Sequence, residues 1–117
     1  MATTNPPGFK SYAEFWPYYL SQHRKPLTRG LHLAGTLLAL LSILWAIFSF
    51  QVEWLLAAPF IGYGVAWIAH AFIEKNHPAT FEYPVWSLRG DLHMLALWLT
   101  GRLKSELLRY GIATQAI

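Results

Sequence analysis

The residues of this chain with the clearest capacity for chemistry are histidines. In the stretch IAHAFIEKNHPA, His70 and Glu74 stand four apart at the end of an apolar run, so a helix would carry both on one face. His32 stands at the head of an earlier apolar run, and His23 precedes it in a polar segment. Neutral imidazoles beside a carboxylate form a ligand set for a first-row divalent metal. Two histidines and one carboxylate with open positions suit non-haem Fe(II) and oxygen chemistry, and Zn(II) accepts the same donors. The candidate metal ligands are therefore His23, His32, His70 and Glu74. His77, one turn beyond Glu74, is a weaker candidate, and His93, in RGDLHML, reads as an interfacial polar residue. A single histidine at a membrane surface often serves only as an amphipathic anchor. That reading does not account for ionisable groups placed together at the ends of apolar runs, where they are costly.

The elements that must position these residues follow from hydropathy. Residues 31–50 and residues 54–73 contain no Lys, Arg, Asp or Glu. Each run meets the length of about 20 apolar residues that crosses a hydrocarbon core. Only Gln51, Val52 and Glu53 separate them, so the two predict an antiparallel transmembrane hairpin. At about 1.5 Å per residue, His32 and His70 lie roughly 28 and 26 Å from its turn, at nearly one depth. All nine basic residues lie outside the turn. The positive-inside rule then places both termini in the cytoplasm, with Glu53 on the far side. If the source is bacterial, the membrane is the inner one. Ser11 and Glu14 form a capping box opening an interfacial helix over about 11–23, whose Phe15, Trp16, Tyr18 and Tyr19 suit the headgroup level. Pro17 kinks that helix or marks its start. Residues 76–91 read as a cytoplasmic loop rich in turn formers. Residues 92–110 read as a second interfacial amphipathic helix, with Arg102, Lys104 and Arg109 toward lipid phosphates.

Bulk composition agrees. The 117 residues allow one domain, and they are 55% hydrophobic and 13% charged, against about 25% charged in an average soluble domain. Mean hydropathy is +0.30. The fold class expected is an all-α membrane protein: a two-span antiparallel hairpin with interfacial helices at both ends. A buried helical pair in a soluble bundle is the alternative. The absence of cysteine excludes disulfides and thiolate metal ligands. The N-terminus lacks a basic stretch followed by an apolar core, so no secretory signal is expected. The abundant aromatic residues read as belts and packing. No nucleic-acid partner is expected, and membrane lipid is. Two spans make a small bundle, so a homodimer completing a four-helix core is a further expectation. Two functional alternatives stay open on these residues. One is a bis-histidine haem protein with His32 and His70 as axial ligands. The other is a non-enzymatic membrane module whose basic face binds anionic lipid or a partner protein.

The pattern His23…His32-x-x-Gly35, an apolar hairpin, then His70-x-x-x-Glu74-x-Asn76-x-Pro78-Ala79 resembles the 2-hydroxy fatty acid dioxygenase-like family of small membrane proteins, over roughly residues 15–94. The stretch PATFEYPVWSLRGD looks like its shorter, bacterial-type branch. The resemblance implies an Fe(II)-dependent membrane dioxygenase that shortens 2-hydroxy fatty acids by one carbon. It aligns His23, His32 and His70 with the family's histidines and Glu74 with its acidic position. A 2-hydroxy acid would then chelate iron while its tail lies along the hairpin, and Arg24, Lys25, Arg29 or Arg89 would meet its carboxylate.

Overall fold

A computed structural model describes residues 8–112. Among them there are five α-helices and no strand: α1 (Tyr12–Ser21), α2 (Pro26–Ser49), α3 (Val52–Ala69), α4 (Pro84–Leu99) and α5 (Leu103–Arg109). Helix α3 continues into one π-helical turn, His70–Glu74, and a 3-10 turn, Ala79–Phe81, precedes α4. The chain ends, whose side of the membrane was inferred from charge, lie outside the described residues.

Each start has a local cause. Ser11 caps α1 by accepting from the Glu14 amide at 3.3 Å, and Glu14 Oε1 accepts from the Lys10 amide at 3.2 Å. The carboxylate thus reaches one residue further back than in the usual capping box. Pro17 lies inside α1 and does not begin it. Pro26 and Pro84 occupy the first turns of α2 and α4, where a missing amide hydrogen costs nothing. Helix α2 stops at Phe50, which adopts a left-handed conformation, and α3 begins two residues later.

Helices α2 and α3 pack along most of their length. A Cβ on Gly35 would lie 3.1 Å from Val65 Cβ and one on Gly62 would lie 3.4 Å from Ala39 Cβ, while Ser42 Oγ donates to the Trp54 carbonyl at 2.5 Å. Rising numbers on α2 meet falling numbers on α3, so the two run antiparallel. Both are long and apolar enough to cross a membrane, as Pro26–Ser49 and Val52–Glu74.

The core lies at the other end of the molecule, away from Phe50. Phe15, Trp16, Tyr19 and Leu20 of α1 pack there with Leu33, Met94, Leu95, Leu103 and Leu107. Trp16 Nε1 donates to Glu106 Oε2 at 2.7 Å, which ties α1 to α5. Three expectations are corrected here. Residues 84–91 are the first turns of α4 and not loop, and residues 92–110 are not one helix, because Gly101 at φ +74° separates α4 from α5. Phe15, Trp16 and Tyr19 are buried in the core and do not form an outward aromatic belt. The first and third share a cause. The partner that buries α1 is α4, an element hidden in the sequence by Pro84 and the Gly90-Asp91 pair.

Candidate metal centre

Three element boundaries meet at one point. His23 follows the C-cap of α1, His32 lies in the second turn of α2, and His70 opens the π turn that ends α3. All three are buried. The His23 ring centroid is 4.6 Å from that of His32 and 4.6 Å from that of His70, and the latter two are 5.8 Å apart. One nitrogen from each ring lies within 4.8 Å of the others, a spacing that can hold a metal ion. A π turn replaces the regular ladder at His70, a departure common at functional sites.

The hydrogen bonds fix which nitrogen each ring has left. His23 Nδ1 is 2.8 Å from the Tyr19 carbonyl, which only accepts, so Nδ1 carries the proton. His32 Nε2 donates to Asp91 Oδ1 at 2.6 Å. Asn76 Nδ2 donates to the Gln22 carbonyl and to Gln22 Oε1, each at 3.0 Å, which turns Asn76 Oδ1 toward His70 to accept from Nδ1 at 2.7 Å. The nitrogens remaining are His23 Nε2, His32 Nδ1 and His70 Nε2, each a lone pair. His23 Nε2 and His32 Nδ1 are buried and have no hydrogen-bond partner among the described residues. Buried polar atoms almost always have one, and such an orphan in a native fold calls for an ion or a water. Each imidazole also gives its other N–H to an oxygen, the arrangement that orients metal-bound histidines. The donor set therefore fits a divalent metal.

Charge reinforces the fit. Burial, and then the neighbouring His32 and His70, hold the His23 imidazole well below its ordinary titration range, so it remains a neutral ligand. Asp91 sits behind His32, and its Oδ1 also accepts from the Tyr19 hydroxyl at 2.5 Å. Burial and then Asp91 push that hydroxyl well above its ordinary value, so it stays a donor. A dication on three neutral rings would have the Asp91 carboxylate to balance part of its charge.

The fold does not bring Glu74 into the histidine group. Its Oε1 accepts from the Lys25 amide at 2.9 Å, and Lys25 Nζ donates to the Ile73 carbonyl at 3.0 Å, so Glu74 fastens the end of α3 to the start of α2. His77 is exposed and also outside the group. Arg29 is buried, with Nη1 donating to the carbonyls of His23 at 2.8 Å and Arg24 at 2.7 Å. Arg89 lies 4.0 Å above the Tyr12 ring, and Arg24 is exposed. His93 stacks on Trp16 at 3.8 Å and accepts from or donates to the Tyr12 hydroxyl at 2.9 Å. Sequence reasoning missed Asp91, Tyr19 and Asn76. Asp91 had a signal: it is the chain's sole aspartate, set just ahead of an apolar run. Tyr19 read as a belt residue, and Asn76 stood in the His70 motif without a role.

Fold and site define a small all-helical protein with a buried tri-histidine cluster backed by a carboxylate. The chain belongs to the 2-hydroxy-palmitic acid dioxygenase Mpo1-like family, whose model matches residues 9–103. Comparison with curated proteins and with solved structures finds no match.

Proposed function

We propose that this chain is an integral-membrane, iron-dependent dioxygenase acting on a 2-hydroxy fatty acid, with His23, His32 and His70 as the metal ligands. The observation that carries the reading is the convergence of three buried imidazoles whose tautomers leave their lone pairs unused. Family membership supports the substrate class. Iron bound there supplies the redox chemistry that oxygen activation requires. The protein's part is to hold the rings. Tyr19, Asp91 and Asn76 keep one proton on each imidazole and fix its orientation, and burial keeps the cluster dry. Arg29 is committed to two carbonyls and Arg89 to an aromatic face. Arg24, exposed at the junction of α1 and α2, is the arginine left to meet a substrate carboxylate.

The membrane setting is supported by where the apolar surface lies. The most hydropathic windows of the two long helices are only 33% and 22% buried, whereas a core helix of a soluble protein buries most of its length. Leu38, Trp45, Ile47, Phe48 and Phe60 all face outward. The haem alternative loses ground on geometry, because the His23 ring lies 4.6 Å from both would-be axial ligands, in the space a macrocycle would need.

Metal content of detergent-purified protein tests the proposal, with wild type measured beside His32→Ala and His70→Ala. Near-stoichiometric iron in wild type, lost in both variants, is the expected result, followed by oxygen-dependent conversion of 2-hydroxypalmitate to an acid one carbon shorter. Zinc in its place would keep the site and remove the oxygenase. Absence of any metal after iron reconstitution would leave the lipid-binding module as the better account.

A further inference from the structure

A groove of about 360 Å³ runs between α2, α3 and α4, and its walls are apolar except for Asp91, Tyr63 and Thr36. One end is Asp91, the residue whose Oδ1 holds His32. Thr36 stands beside it, but its hydroxyl is already given to the His32 carbonyl at 2.9 Å, so it contributes its methyl. Ala39 and Gly62 make the middle shallow enough to admit a chain, and Ile43 and Leu55 close the far end. From Thr36 to Ile43 the floor spans about 10 Å along α2, at about 1.5 Å per residue. The groove therefore starts at the metal centre's supporting carboxylate and leads away from it, toward the middle of the two long apolar helices.

We propose that this groove holds the alkyl chain of the substrate, with the chain entering at the Asp91 end, the carboxylate lying beyond that end and not against Asp91, and the tip toward Ile43 and Leu55. The assignment rests on the oxygenase reading for the identity of the head, and on the groove itself for the place of the tail. Volume suits a single chain. The volume falls within the range of about 300 to 1,000 Å³ for ligand sites. Polarity selects in the same direction. An apolar helix from a second copy would bury the Asp91 carboxylate against hydrocarbon, which is costly. A 2-hydroxy fatty acid can turn its neutral hydroxyl, a donor, toward Asp91 and lay its chain along the apolar remainder. Because two walls are the helices able to span a membrane, the chain would enter sideways from the bilayer.

The test uses the full chain in lipid nanodiscs and 2-hydroxy fatty acids carrying a photoreactive diazirine at mid-chain or at the tip, with adducts mapped by mass spectrometry. Adducts around Ala39 and Gly62 from the mid-chain probe, and around Ile43 and Leu55 from the tip probe, are expected. Leu92→Trp narrows the head end from α4, and Leu55→Trp closes the tip end. Both leucines line the groove and are roughly half-exposed, which favours folding of the variants. Leu92→Trp should lower capture of every chain length by about tenfold or more, and Leu55→Trp should do so only for longer chains. Metal content should equal wild type in both. Adducts on the outward face at Phe48 and Phe60 that neither variant alters would overturn the assignment. So would equal capture of a photoreactive phosphatidylcholine, or crosslinks from the groove to a second copy. The two readings separate cleanly. Capture in the groove without metal or turnover sinks the oxygenase alone, whereas turnover with an unchanged length profile in both variants sinks the groove alone.

Discussion

Asp91 joins three parts of the molecule: it accepts from His32, accepts from Tyr19 and faces the groove. Replacing it by asparagine keeps the size and removes the charge that orients His32 and offsets the metal. Asp91→Asn is expected to weaken metal affinity by about 10- to 100-fold, the usual effect of losing a partner of a ligating histidine. Competition with a chelator of known affinity measures this, and unchanged affinity would mean that Asp91 serves packing only. His93 gives a separate pH dependence. Burial is the main reason its imidazole is held below the ordinary value; Glu106 opposes the shift and Arg89 adds to it, while the Tyr12 hydroxyl and the Trp16 ring complete its surroundings. In the unfolded chain it titrates near 6.5. Between the folded and unfolded values the unfolded state binds more protons, so this contribution is complete above about pH 6.5 and is lost as pH falls through the folded value. Melting temperature measured from pH 7.5 downward should fall less steeply in His93→Gln than in wild type, and parallel curves would contradict this assignment.

Among the elements, α4 decides most of what surrounds the site. It carries Asp91, supplies one wall of the groove and buries α1. Its approach to α1 depends on Gly90, where an added Cβ would lie 3.0 Å from the Tyr19 ring. Tyr19 cannot yield easily, since its hydroxyl is held by Asp91. Gly90→Val is therefore expected to cost about 1–3 kcal/mol through overpacking, and to disturb His32 through Tyr19 and Asp91. Gly64 is the control. It lies within α3, and no described residue outside its own helical turn comes within 4 Å of an added Cβ, so Gly64→Ala should leave stability unchanged or raise it, because alanine favours the helix. Denaturation in one detergent compares the two, and equal effects would refute the close-approach argument. The π turn that ends α3 acts in a similar way: Asn76 reaches back to His70 and Glu74 reaches across to Lys25, so one short segment both aims a ligand and fastens two helices.

The whole molecule is polarised along its length. An apolar, outward-facing pair of helices forms one part, and the packed core with the histidine cluster forms the other. Basic residues concentrate at the cluster end, and none lies in the turn between the helices. If the pair spans a membrane, Lys10 and Arg109 lie on one side and Glu53 on the other. The chain's lack of cysteine makes this simple to test with single reporters. A membrane-impermeant maleimide should label Glu53→Cys in intact cells, and Lys10→Cys and Arg109→Cys only after permeabilisation. Labelling of all three in intact cells, or none, would contradict that topology.

Two long apolar helices with a short link, and histidines at their ends, were legible in the sequence because hydropathy and spacing are local properties. His32 and His70 could be placed near one level from helix rise alone. Glu74 shows the limit of such reasoning. Periodicity set it on the face of His70, yet its partner is the Lys25 amide, and only the packed chain puts that group within reach. Asp91 shows the converse. Its Gly-Asp context suggested a turn, because local propensity could not register that α1 would lie against Gly90 and make a helix there the stable outcome. The donors were encoded in residue type and spacing. Which carboxylate stands behind them, and which helix walls the groove beside them, was decided by tertiary contacts between segments far apart in the chain.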